Sequence, residues 1–130
     1  MRLILVDDEA GFLVSASTAL KGRGIDVTTA QSGRMALELL NNERFDVAVL
    51  DLKMPEMAGD VLFREIKKRW PDMPVIILTG YGTLEQVGQF SKEGVFYYLR
   101  KPCDIEHLAR VARQSASIHW RKWLRRLRTD

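Results

Sequence analysis

Five short apolar runs punctuate the chain: Leu3–Val6, Ile25–Thr29, Val47–Leu50, Val75–Leu78 and Val95–Leu99. Three of them are almost unbroken Val, Ile and Leu. A strand with one wet face alternates apolar and polar residues, whereas a strand buried on both faces does not. Unbroken runs this short therefore predict a parallel sheet covered on both sides. Stretches with helical spacing fall between the runs. Phe12, Ala16, Ala19 and Leu20 form one stripe, Ala36, Leu37 and Leu40 a second, and Val61, Leu62, Ile66 and Trp70 a third. A fourth helix is predicted over 83–93, opened by the capping-box pattern Thr83-Leu84-Glu85-Gln86. A fifth starts near Asp104 and runs toward Leu127. Strand and helix thus alternate five times, which predicts a three-layer α/β sandwich with right-handed crossovers.

A chain of 130 residues with 46% apolar content is long enough for one self-sufficient core. No apolar run approaches the roughly 18 residues of a membrane span, and Asp7, Asp8 and Glu9 break any signal-peptide pattern. The single cysteine, Cys103, excludes an internal disulfide. It suits a reducing compartment, so the expected location is cytoplasmic. Charge is split along the chain: residues 1–108 carry a net −3 and residues 109–130 a net +6. The basic character belongs to the tail, so direct nucleic-acid binding by the domain is not expected, nor is membrane association.

In open parallel sheets, function collects at the carboxyl ends of the strands. The polar residues predicted there are Asp7 and Asp8 after strand one, Asp51 after strand three, Thr79 and Gly80 after strand four, and Lys101-Pro102 after strand five. Crowded carboxylates repel, and a hard divalent cation removes the problem; oxygen-only ligands favour Mg²⁺. A carboxylate, a metal, a hydroxyl and an ammonium at one rim are the parts needed for phosphoryl transfer to an aspartate.

The segments Ile4-Leu5-Val6-Asp7-Asp8-Glu9, Val49-Leu50-Asp51-Leu52-Lys53-Met54-Pro55 with Gly59, Ile77-Leu78-Thr79-Gly80-Tyr81-Gly82 and Tyr98-Leu99-Arg100-Lys101-Pro102 resemble, in that order, the receiver domain of two-component response regulators. The resemblance covers roughly residues 1–115. It implies a flavodoxin-like (βα)5 fold with sheet order 2-1-3-4-5, which the receiver family itself exemplifies. It casts Asp51 as the phosphoacceptor, and Asp7, Asp8, Asp51 and the Lys53 backbone carbonyl as Mg²⁺ ligands. Thr79 and Lys101 become the phosphoryl contacts, and Tyr98 the aromatic switch that turns inward when Thr79 moves. The Lys101-Pro102 bond is expected to be cis. A sensor histidine kinase is the implied phosphoryl donor, and the face of helix four, strand five and helix five the implied output surface. A regulator of this kind is a phosphoacceptor and not an enzyme. The alternative is a shuttle that passes the phosphoryl group to a histidine phosphotransfer protein. Phosphatases of the haloacid-dehalogenase type also place an aspartate after a strand, but they require a second aspartate two residues on, where this chain has Lys53.

Residues 116–130 extend the last helix beyond what such a domain needs. Trp120, Trp123, Leu124 and Leu127 repeat at i, i+3, i+4 and i+7, and Arg121, Lys122, Arg125, Arg126 and Arg128 fill the other positions. This basic amphipathic stretch is expected to serve as a linker helix, as a weak homodimer contact or as a docking helix for a partner.

Overall fold

The computed structural model describes all residues except Tyr81 and Asp130; the side chains of Leu84, Trp120, Lys122, Trp123, Arg126, Arg128 and Thr129 also lie outside the described residues. Five strands, β1 (Arg2–Val6), β2 (Asp26–Ala30), β3 (Val47–Leu50), β4 (Val75–Thr79) and β5 (Tyr97–Arg100), alternate with helices α1 (Ala10–Lys21), α2 (Gly33–Asn42), α3 (Gly59–Arg69), α4 (Leu84–Lys92) and α5 (Ile105–Thr129). The sheet is parallel in the order β2-β1-β3-β4-β5. This is the flavodoxin-like arrangement that the sequence implied.

Every residue of β3 and β4, and all of β1 after Arg2, is buried. Side chains within these runs still alternate between two cores. Leu3, Leu5, Val47, Val49, Ile76 and Leu78 pack under α1 and α5, while Ile4, Val6, Ala48, Leu50, Val75 and Ile77 pack under α2, α3 and α4. Burying each such Val, Leu or Ile side chain contributes about 1.5–3 kcal/mol, which makes the central strands the anchor of the fold. The outer strands do not follow the unbroken pattern. β5 starts two residues later than its apolar run suggests, because Gly94 takes φ 97° and Val95 N–H closes a turn onto the Phe90 carbonyl.

The phase of two helices also differs from the apolar stripes. In α1 the buried residues are Leu13, Ala16, Ser17 and Leu20, with Phe12 and Ala19 only half-buried. In α3 Val61 is 51% exposed, and Phe63 is buried in its place. The α3 stripe is Gly59, Leu62, Phe63 and Ile66, at i, i+3, i+4 and i+7. Its phase is set by Gly59, whose backbone lies against that of Asp51 and Leu52. The capping box of α4 is present as the sequence predicts: Thr83 Oγ1 accepts from Gln86 N–H, and Gln86 Oε1 accepts from Thr83 N–H.

Helix α5 packs through Leu108, Ala109, Val111, Ala112, Ser115 and Ala116, with Ile105 half-buried. His119 Nδ1 then lies 2.8 Å from the Asp72 carbonyl, the last polar anchor that the structure gives to the helix before its basic end. Leu124 and Leu127 are 49% and 56% exposed. The remaining members of the tail stripe, Trp120 and Trp123, have side chains outside the described residues. No helix among the described residues is long and apolar enough to cross a membrane.

Candidate functional site at the carboxyl rim

Strand register brings the acidic residues together. Val6 pairs with Leu50, and the next residues on each chain are Asp7 and Asp51. Asp51 N–H donates to the Val6 carbonyl at 3.0 Å and Asp7 N–H to the Ala30 carbonyl at 3.1 Å, so backbone bonds fix both strand exits. Asp8 follows directly, and one carboxylate oxygen from each of Asp7, Asp8 and Asp51 lies within 4.8 Å of the others. Asp7 and Asp51 are buried and Asp8 is exposed, which leaves the cluster open on one side.

Lys101 enters from the end of β5. Its backbone N–H donates to the Thr79 carbonyl at 2.9 Å, and the Lys101-Pro102 bond that follows is cis. Its Nζ lies 2.5 Å from Asp7 Oδ2 and 3.6 Å from Glu9 Oε1, and 4.1 Å from the centre of the Phe12 ring. The ammonium is therefore held by two carboxylates and an aromatic face. Thr79, fully buried, closes β4 beside it. Lys53, itself exposed, sits two residues beyond Asp51 on the β3–α3 loop. Sequence reasoning brought Asp7, Asp8, Asp51, Thr79 and Lys101 to one rim, and the structure does the same. That reasoning gave no role at the rim to Glu9, the N-cap of α1 and the last residue of the first motif, or to Phe12, which it placed in the apolar stripe of α1.

Burial pushes the Asp7 carboxyl above the usual carboxylate range; the Lys101 bond and the Glu9 N–H pull it back only in part, and the Asp51 charge pushes it further up. Burial alone would lower Lys101, but the Asp7 bond and the charges of Asp7, Asp51 and Glu9 outweigh it and hold the ammonium above its ordinary value. Both signs translate into stability. Because Asp7 is raised in the folded state, its contribution is complete below the usual carboxylate value near ~4 and fades as pH climbs through the raised one. Because Lys101 is raised too, its contribution holds below the ordinary lysine value near ~10.4 and is lost only on further alkalinisation. Asp7→Asn is therefore expected to melt a few degrees higher than the wild type at neutral pH in metal-free buffer, with a flatter profile above pH ~4. A lower melting temperature would contradict the balance of burial over pairing.

Tyr98 lies on the same face of the sheet as Ile77, its register partner, and so on the face that carries Thr79. Its ring is already half-buried against the cluster under α3 and α4, with its hydroxyl beside Gly82. Burial raises its phenol above the ordinary value, and the Asp51 charge adds to this against the opposing charge of Arg100. A cavity of about 550 Å³ lined by Phe45, Trp70, Met73 and His119 opens at the amino-terminal ends of β3 and β4, at the far side of the sheet from this chemistry.

A doubly wound parallel sheet whose central strands end in a half-open carboxylate cluster beside a fixed ammonium defines a class of α/β domain built around its carboxyl rim. Residues 3–113 match the response regulator receiver domain family, and the chain belongs to it. The transcriptional regulatory protein GlrR of Escherichia coli (strain K12) is 44% identical over 106 residues, which are 82% of this chain and 24% of that protein. The DNA-binding transcriptional regulator NtrC of Klebsiella pneumoniae is 35% identical over 113 residues, 87% of this chain and again 24% of the relative. The crystal structure of a response regulator receiver domain protein from Clostridium thermocellum superposes with a TM-score of 0.85 at 38% identity, covering 95% of this chain and 97% of that one. The chain thus spans about a quarter of the length of these two regulators. The expectation that it makes no nucleic-acid contact gains no support from relatives that carry such names.

Proposed function

We propose that this receiver domain accepts a phosphoryl group on Asp51 from a sensor histidine kinase and thereby controls an output partner. The observation that carries the reading is Asp51 Oδ1: it is buried and has no hydrogen-bond partner, in a fold that otherwise satisfies its buried side-chain polar atoms among the described residues. A carboxylate oxygen left without a donor keeps its nucleophilic lone pairs. The donor set also fits a hard divalent ion, since Asp7, Asp8 and Asp51 offer oxygen alone and their mutual repulsion needs a cation. Asp7, Asp8, Asp51 and the Lys53 carbonyl would hold Mg²⁺, which when bound supplies positive charge against the carboxylates and the phosphoryl oxygens.

The residues of the chain divide the remaining work. Asp51 attacks phosphorus, and the bond from phosphorus to the donor nitrogen breaks as the new P–O bond forms. Lys101, kept protonated by Asp7 and Glu9, neutralises a phosphoryl oxygen. Thr79 donates its hydroxyl to another. The domain acts as a phosphoacceptor regulator and not as an enzyme with a separate substrate, and a kinase donor implies a cytoplasmic location. Output runs through the face of α4, β5 and α5, where Tyr97 is 43% exposed and stands edge-on to His107 with ring centres 5.9 Å apart.

The test is intact-mass measurement after incubation with acetyl phosphate. One phosphoryl group per chain is expected with Mg²⁺, and none once a chelator is added. Uptake that ignores the chelator, or that maps to a residue other than Asp51, would overturn the reading.

A further inference from the structure

Gly82 lies on the loop between β4 and α4, with φ 134°, a backbone conformation that L side chains rarely adopt. A Cβ built there would stand 1.7 Å from the Tyr98 hydroxyl oxygen and 3.0 Å from Tyr98 Cζ. The hydroxyl therefore occupies the space that any other residue would fill. A second side chain of β5 reaches the same residue: Arg100 Nη2 donates to the Gly82 carbonyl at 2.9 Å. Tyr98 and Arg100 are two apart on one strand, so both rise from the same face of the sheet. The next residue on the loop, Thr83, is tied into the α4 capping box, and Gln86 Oε1 of that box lies 3.6 Å from the same Cβ position. Gly82 is thus held on its helix side by the cap at Thr83 and on its sheet side by β5.

We propose that Gly82 and Arg100 are positioning residues of the Tyr98 switch: Gly82 is the socket for the inward hydroxyl, and Arg100 holds that socket in place. Tyr98 is then seated before any phosphoryl group arrives. A ligand that favours the seated ring needs to shift the population less, and its apparent affinity rises with the fraction already seated. This last consequence rests on Asp51 being the phosphoacceptor; the socket itself does not.

The full chain labelled with 3-fluorotyrosine separates the two. The Tyr98 resonance is assigned by its loss in Tyr98→Phe, and its H₂O/D₂O isotope shift reports exposure. A small shift is expected for the wild type without ligand, a shift near that of an exposed tyrosine for Gly82→Ala, and an intermediate one for Arg100→Ala. Gly88→Ala, with open space around its Cβ, serves as the control and should match the wild type. Affinity for fluoroberyllate with Mg²⁺ should fall about tenfold in Gly82→Ala, the drop expected if the seated fraction falls tenfold. In a Tyr98→Phe background, which removes the atom at 1.7 Å but leaves alanine strained at φ 134°, Gly82→Ala should cost clearly less than tenfold. An exposed Tyr98 in the unliganded wild type, an unchanged resonance in Gly82→Ala, or a full tenfold loss in the Tyr98→Phe background would each overturn the socket. Fluoroberyllate that fails to bind even the wild type, while the fluorine shifts behave as expected, would sink the phosphoacceptor reading and leave the socket standing.

Discussion

Asp51→Asn is expected to abolish phosphoryl uptake and, in metal-free buffer, to make the domain more stable than the wild type. The two effects share one cause. The amide keeps the shape of the carboxylate but loses the charge, and with it the nucleophile. The same charge is also a burden to the fold. Asp51 is 3% exposed, its Oδ1 has no donor, and it shares a 4.8 Å cluster with Asp7 and Asp8. Carboxylates that close repel, and burial weakens the screening that would soften the repulsion. Removing one of the three should contribute about 1 kcal/mol, roughly 3–5 °C in a domain of this size. Magnesium reverses the order. At a hundredfold excess over its dissociation constant a ligand adds about 2.7 kcal/mol to the state that binds it. The wild type should gain most of this on adding Mg²⁺, and Asp51→Asn little of it. Thermal melts of both proteins with and without Mg²⁺ give the four values needed. An Asp51→Asn protein less stable than the wild type in chelator would show that the cluster is not repulsive, whatever its phosphorylation does.

The central strands and the rim were legible in the sequence for one reason. β1, β3 and β4 are buried on both faces, so their composition is constrained at every position, and the polar residue that ends each run stands out. Parallel register then does the rest: Val6 beside Leu50 is enough to bring Asp7 to Asp51. The edge strands carry a weaker signal, and β5 accordingly starts two residues late, at Tyr97. The phase of α3 was not legible, because no apolar pattern fixes it. Val61 and Phe63 are both apolar and only one can face the sheet; the choice is made by the backbone contact at Gly59. The Tyr98 seat was missed for a similar reason. It is defined by what Gly82 lacks, and a missing Cβ leaves no periodic trace. The basic end of α5 is apolar on one side and charged on the other, but a stripe alone does not name its partner.

Gly59→Ala should be the most damaging single-atom addition in the chain. A Cβ at Gly59 would fall 2.0 Å from the Asp51 carbonyl oxygen, 2.6 Å from Leu52 Cα and 2.8 Å from the Asp51 carbonyl carbon. All three are backbone atoms, so no side-chain rotation relieves the contact. The bond from Gly59 N–H to the Leu52 carbonyl, at 2.8 Å, holds the two segments together at that point. Relief requires α3 to move off the end of β3. That movement would lift Leu62, Phe63 and Ile66, each at most 1% exposed, out of the core, and would break the edge-to-face contact of Phe63 with Phe90. Overpacking of this kind costs about 1–3 kcal/mol, and partial exposure of core side chains whose full burial is worth about 1.5–3 kcal/mol each adds to it. Set against a total stability of roughly 5–15 kcal/mol, the variant is expected to be barely folded. Gly88→Ala gives the opposite sign: its Cβ meets nothing within 4 Å, and alanine in a helix interior is worth about 1 kcal/mol over glycine. Urea unfolding of the two variants beside the wild type therefore spans both directions. Phosphoryl uptake should fail with the fold in Gly59→Ala, because the carbonyl that the methyl strikes belongs to Asp51 itself. A Gly59→Ala midpoint close to that of the wild type would mean that α3 is not seated on the β3 exit, and that Val61 is exposed for some other reason.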